Sequence, residues 1–182
     1  MGIKFGFSTG RTLVSRTIRA VTRSKVSHCF FLFMNDDEWL GTPMILAADR
    51  GGFNPMTLEQ FRLENNIIAL YEPKQSLRPG IQKALPLLGE RYDYGGLVGD
   101  TWVLLGRRLK RHWKNPLHEP NAMFCSAAMV KVMQLDDYPD CLDLNQDTTP
   151  EDALEWMDQT GHHLSPELAE LSKSQVKAVA TP

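Results

Sequence analysis

The β-favouring runs of this 182-residue chain are gathered near its start, and that placement does most to constrain the fold. Residues 26–34, Val-Ser-His-Cys-Phe-Phe-Leu-Phe-Met, favour a strand and end at the polar turn Asn35-Asp36-Asp37-Glu38. Residues 44–49 read as the next strand, closed by the tight Gly51-Gly52 turn. Residues 66–71 read as a third central strand, stopped by Glu72-Pro73. Residues 3–8 alternate loosely and read as a short first strand. Beyond Tyr71 the patterning is mainly helical. Strands joined by short turns and followed by helices predict an α+β fold rather than alternating α/β units.

The helical readings rest on spacing and capping. Leu13, Val14, Ile18 and Val21 recur at helical spacing, with Arg16 and Arg19 on the outer face. Residues 57–61 form a short helical turn, and Arg78-Pro79-Gly80 opens a helix through Leu88. The loop 89–96 carries Tyr92 and Tyr94. A long helix follows over 97–113, with Trp102, Leu105, Leu109 and Trp113 on one side. Arg107, Arg108, Lys110, Arg111 and Lys114 supply a basic cluster. Residues 97–114 either pack one face on the core or make a peripheral contact with a membrane surface or an acidic partner. Thr149-Pro150-Glu151-Asp152 starts a helix, with Thr149 as N-cap, that runs to about Gln159. After Gly161 the chain turns polar. The expectation is one domain over 1–160 and a polar tail over 161–182.

Composition narrows the class. Hydrophobic residues make up 42% and charged residues 23%, as in an ordinary globular domain. A net charge of -2 gives no global field for nucleic acid, and none is expected as a partner. Three cysteines are too few and odd in number for a disulfide framework, which points to a reducing compartment. The first ten residues lack a signal-peptide apolar core, and no apolar run reaches membrane-spanning length, so a cytoplasmic location is expected. There is no metal-ligand spacing, phosphate-binding glycine loop or dinucleotide fingerprint, so no metal or cofactor is expected. His162-His163 reads as a solvated pair at a helix end.

Three residue types carry candidate chemistry. Asn121 is a plausible N-cap for a helix over the following Ala/Met/Val-rich run, which sets Cys125 in its first turn. Free N–H groups and the positive dipole end there favour a thiolate, although a free cysteine is also commonly a small buried hydrophobe. On its strand His28 shares a face with Val26, Phe30 and Leu32, while Cys29 points the other way. His28 is either a core-edge histidine or a general base. Asp49, on one face with Ile45 and Ala47, either orients the imidazole or begins the turn.

In that order, the motifs resemble the circularly permuted papain-like hydrolases of the NlpC-type superfamily, close to the YiiX-like group. Phe7-Ser8-Thr9-Gly10 through Ser27-His28-Cys29-Phe30-Phe31 looks like the family's opening strand, helix and Ser-His strand. Gly89 through Leu97 is similar to its Tyr-Asp loop, and Phe124-Cys125-Ser126 to its nucleophile helix. Thr149-Pro150-Glu151-Asp152 resembles the segment that follows. The resemblance implies a central antiparallel sheet packed against helices, with the nucleophile at a helix N-terminus. It implies Cys125 as nucleophile, His28 as base, and Tyr92, Tyr94 and Ser126 near the substrate. The substrate would be a peptide, a cell-wall peptide or a lipid acyl group. Two positions depart from the family: Ala47 stands where a polar third member is usual, leaving Asp49 as the substitute, and Ala127-Ala128 follows Cys-Ser. Those departures also admit a binding module on the same fold.

Overall fold

The computed structural model describes residues 2–12, 15–16, 19–20, 24–34, 42–49, 51–92, 122–141, 144–145 and 148–165. Five strands, β1 (Ile3–Gly10), β2 (His28–Phe33), β3 (Met44–Asp49), β4 (Gly52–Thr57) and β5 (Asn65–Tyr71), form an antiparallel sheet in the order β4-β3-β2-β1-β5. Four helices accompany them among the described residues: α1 (Leu58–Glu64), α2 (Arg78–Ala84), α3 (Cys125–Gln134) and α4 (Pro150–Gln159). The fold is α+β. Two short strands, β6 (Arg91–Tyr92) and β7 (Ala122–Met123), pair in parallel.

Alternation along the strands divides the core between two faces. Phe5, Phe7, Cys29, Phe31, Leu46 and Ala48 share one cluster with Ala128, Met129 and Val132 of α3 and Ala153 and Met157 of α4. Phe30, Leu32, Ile45, Ala47 and Leu70 face the other way and pack under Leu58 and Phe61 of α1. One expected neighbour of His28 changes side: Val26 packs with Cys29 and Phe31, because β2 starts at His28 and strand alternation does not reach back to Val26.

Local chemistry sets the helix ends. A capping box between Thr57 and Gln60 starts α1, and another between Thr149 and Asp152 starts α4. The helix expected to run through Leu88 stops at Ala84 and tightens into a 3-10 turn over Leu85–Leu87, since Pro86 has no N–H to continue the ladder. β4 has no alternating pattern and contains Pro55, which an edge strand tolerates. It forms as the return of a hairpin with β3, and the Phe53 N–H donates to the Glu90 carbonyl at 3.0 Å. Gly52 has φ 99°, and a Cβ there would lie 2.4 Å from the same carbonyl oxygen.

The first residues after Gly161, read as the start of a polar tail, run beside the sheet. The Ser165 N–H donates to the Leu70 carbonyl and the Glu72 N–H to the His163 carbonyl, both at 2.8 Å, so this segment lines the outer edge of β5. His162, expected to be solvated, is 7% exposed. Its Nε2 lies 3.0 Å from the Tyr138 hydroxyl and its Nδ1 2.8 Å from Thr160 Oγ1. Aromatic walls from Tyr138 and Trp156 explain the burial. Burial, reinforced by the Lys74 charge, holds the His162 imidazole below its usual range. A base whose folded pKa is depressed stabilises the fold above its unfolded value and loses that contribution as pH falls through the folded value. Melting temperature should therefore fall over the pH interval below about 6.5. His162→Gln should flatten that slope in thermal melts across the interval; an unchanged slope would remove His162 from the effect.

Among the described residues no helix is long and apolar enough to cross a membrane. The basic stretch 97–114 and Tyr94 lie outside the described residues.

Candidate functional site

Cys125 is the first residue of α3. The expected N-cap, Asn121, is not the cap: β7 intervenes, and Phe124 takes that position with φ -97° and ψ 169° and no side-chain cap. The chain thus passes from a strand directly into a helix. β7 fixes the approach by pairing Met123 with Tyr92, and the Ala128 N–H donating to the Phe124 carbonyl at 2.9 Å closes the first turn. The unpaired N–H groups at this end surround the thiol with positive potential. Ser126 is fully buried and its hydroxyl donates to the Thr148 carbonyl at 2.6 Å, tying α3 to the start of α4. That hydroxyl is a brace within the protein.

Cys125 is 3% exposed and has two neighbours from β2. Cys29, 1% exposed, sits on the strand face that α3 covers, and its S–H donates to the Cys125 sulfur. His28, the first residue of β2, is half-buried and stacks on Phe61, with ring centroids 5.8 Å apart and planes 29° apart. Its imidazole also hydrogen-bonds to Cys125. The Cys29 hydrogen bond does most to hold the Cys125 thiol well below its usual range; burial opposes it, and the His28 charge, the His28 hydrogen bond and the Cys29 N–H add to it. Burial, together with the hydrogen bond and charge of Cys125, pushes the Cys29 thiol up. Of the two sulfurs, the one at the helix N-terminus beside the imidazole ionises first.

The sequence separated Cys29 from His28 by face and gave Cys29 no role. The signal was present in the strand alternation, since the residue opposite in face to His28 is the one a covering helix would meet. A thiolate with a depressed pKa persists below the ordinary thiol range and disappears as pH falls through the lowered value. Cys29→Ala should move the midpoint of Cys125 alkylation upward, and Cys29→Ser, which keeps a donor, should retain most of the shift. Iodoacetamide labelling across pH, read by peptide mass spectrometry, measures both. An unmoved midpoint in Cys29→Ala would leave the helix and His28 as the sole causes.

The remaining candidate positions are distributed differently. Asp49 Oδ1 accepts from the Gly51 N–H at 2.8 Å, the geometry of a turn-starting aspartate. The β2–β3 ladder ends at Phe31↔Leu46, and Asp49 pairs with Gly52 of β4. No hydrogen bond joins Asp49 to His28 among the described residues. Ala47 is 2% exposed and offers no polar group. The Tyr92 main chain lies beside Met123, two residues before the cysteine. A cavity of about 1000 Å³ lies at the opposite end of the sheet, between Ile3, Phe33, Leu77 and Ile81, away from His28 and Cys125. Among the described residues no group of three or more His, Cys, Asp or Glu side chains could hold a metal ion.

No family model matches the chain, and no curated protein matches it. Among solved structures it is similar to the crystal structure of the metalloprotein yiiX from Escherichia coli O157:H7. The match has a TM-score of 0.52 at 17% identity and covers 92% of this chain and 90% of the other. The chain therefore has a YiiX-like fold.

Proposed function

We propose that this chain, on its YiiX-like fold, is a thiol-dependent hydrolase of an amide or ester bond, with the permuted papain-like order of histidine first and cysteine late. The observation that carries the reading is a cysteine at the first position of a helix with the imidazole of the neighbouring strand against it, a contact that with Cys29 favours the thiolate. His28 takes the Cys125 proton, and the thiolate attacks the acyl carbon. The N–H of Cys125 and the helix dipole stabilise the oxyanion as the carbonyl π bond breaks. Collapse expels the amine or alcohol, which takes the proton from His28. Water, losing a proton to His28, then attacks the thioester, and the acid leaves as Cys125 is regenerated. Tyr92, whose main chain pairs with Met123, and Tyr94 are the candidates nearest the substrate; Ser126 braces α3 from within, and Asp49, engaged with Gly51, leaves the orientation of His28 to another group.

The substrate class is a peptide, a cell-wall peptide or a lipid acyl group. The basic, tryptophan-containing stretch 97–114 supports a peripheral membrane contact for the lipid case, and the setting is a cytoplasmic one. No metal or cofactor enters this reading. A second reading, a binding module on the same fold, is favoured by Ala47 at the third position and by the engagement of Asp49 with Gly51. One experiment separates them. A p-nitrophenyl acyl ester should acylate wild type at Cys125, seen as an adduct in intact mass, and His28→Ala should slow acylation about 100-fold or more. Cys125 that never acylates, and alkylates as an ordinary thiol in both proteins, selects the binding module.

A further inference from the structure

Facing residues on paired antiparallel strands project to the same side of the sheet. β1 and β2 pair without interruption through Gly6↔Phe30, Phe7↔Cys29 and Ser8↔His28. Ser8 therefore stands directly across from His28, at the separation of about 4.5–5.5 Å between Cβ atoms usual for such pairs. Ser8 is completely buried, and its hydroxyl has no hydrogen-bond partner among the described residues. A buried hydroxyl with nothing to bond is rare and marks a place where something further is held. Across the ladder, His28 has Cys125 as its hydrogen-bond partner, and no other described residue bonds the ring.

The surroundings make this vacancy specific. Phe61 stacks on His28 and meets Phe30 at 4.7 Å between ring centroids. Phe30 lies over Gly6 so closely that a Cβ there would come within 2.1 Å of its ring. Apolar rings thus border the half-buried His28 along the sheet. Ala47 cannot orient the ring, and Asp49 accepts from Gly51. We infer that Ser8 is the positioning residue for His28, its hydroxyl accepting the ring N–H turned away from Cys125. Rotation about the Ser8 Cα–Cβ bond closes the contact and gives the buried hydroxyl its partner. As Cys125 gives up its proton the ring carries two N–H groups, one facing the thiolate and one facing Ser8. This assignment rests on the thiol–imidazole reading above, but its test does not depend on turnover.

Nitrogen-15 spectra of the His28 ring in the full chain report tautomer and ring N–H exchange directly. In the pH range where the ring is neutral, wild type should show one dominant tautomer with a slowly exchanging N–H. Ser8→Ala should mix the tautomers, speed that exchange and lower Cys125 alkylation at pH 6 about tenfold, as loss of a supporting partner does. Ser8→Thr, which keeps the hydroxyl, should restore both readouts. Unchanged ring spectra in Ser8→Ala, or equal losses in Ser8→Thr and Ser8→Ala, would overturn the inference. Should Ser8→Ala fail to fold, two averaging tautomers in wild type would overturn it, and a single fixed one would support it. If instead Cys125 alkylates as an ordinary thiol in wild type and His28→Ala alike, the hydrolase reading fails, while the ring spectra still decide the Ser8 contact.

Discussion

Serine in place of Cys125 should abolish the proposed acyl transfer and leave the fold standing. The two side chains differ by one atom, and the site already supplies donors to that atom from the side chain and N–H of Cys29. The cost in stability should stay near 1 kcal/mol, the scale of one altered hydrogen bond. The chemistry has no such tolerance. An imidazole and a helix N-terminus can hold a thiolate at neutral pH, but a serine hydroxyl starts far higher and needs a base fixed in orientation. With Ala47 at the third position and Asp49 engaged with Gly51, no carboxylate among the described residues supplies that orientation. The acylation rate with a p-nitrophenyl ester should fall by at least about 1000-fold, within the range seen when a covalent nucleophile is lost. Stopped-flow release of nitrophenolate measures it, with urea unfolding as the control for structure. Retention of most of the wild-type rate would place the nucleophile elsewhere in the chain.

Phe5→Ala should cause the largest loss of stability. Phe5 is fully buried in the middle strand pair, between Phe31 on β2 and Tyr71 on β5. Its ring meets Phe31 at 5.8 Å, Tyr138 at 5.5 Å and His162 at 6.0 Å between centroids. It therefore joins the sheet to the loop after α3 and to the segment along the edge of β5. Truncating a buried phenylalanine costs about 3–5 kcal/mol through lost transfer energy and an unfilled cavity. For a chain of this size the melting temperature should drop by roughly 6–20 °C. Leu63→Ala, at a side chain 72% exposed, is the control and should change stability by less than about 0.5 kcal/mol. Equal effects at the two positions would contradict the packing.

What could be read from the sequence was what local physics decides. β2, β3 and β5 announce themselves by apolar runs, and α4 by its Thr-Pro-Glu-Asp start. Thr57 and Gln60 are spaced as a capping box, which marks the start of α1 and extends it past a single turn. β4 was hidden because Pro55 and Gly52 lower its strand propensity; pairing with β3 makes it a strand. β6 and β7 are two residues each and exist through each other. At the site, the helix position of Cys125 was legible, but its cap was not, since Phe124 acts through backbone shape alone. The turn at Asp49 was also legible. Cys29 and His162 were not, because their surroundings come from distant elements: α3 in one case, Tyr138 and Trp156 in the other.

The hydroxyl of Ser126 on the Thr148 carbonyl also bears on the order in which the protein is made. Synthesis delivers the strands first, then Cys125, and only afterwards the residues that secure its first turn. With no side-chain cap of its own, that turn depends on Thr148 and on the capping box that starts α4. A chain still attached to the ribosome at residue 140 has its histidine strand and its cysteine but not the brace between α3 and α4. The first turn of α3, and with it the surroundings of the Cys125 thiol, is therefore completed only after the start of α4 has emerged.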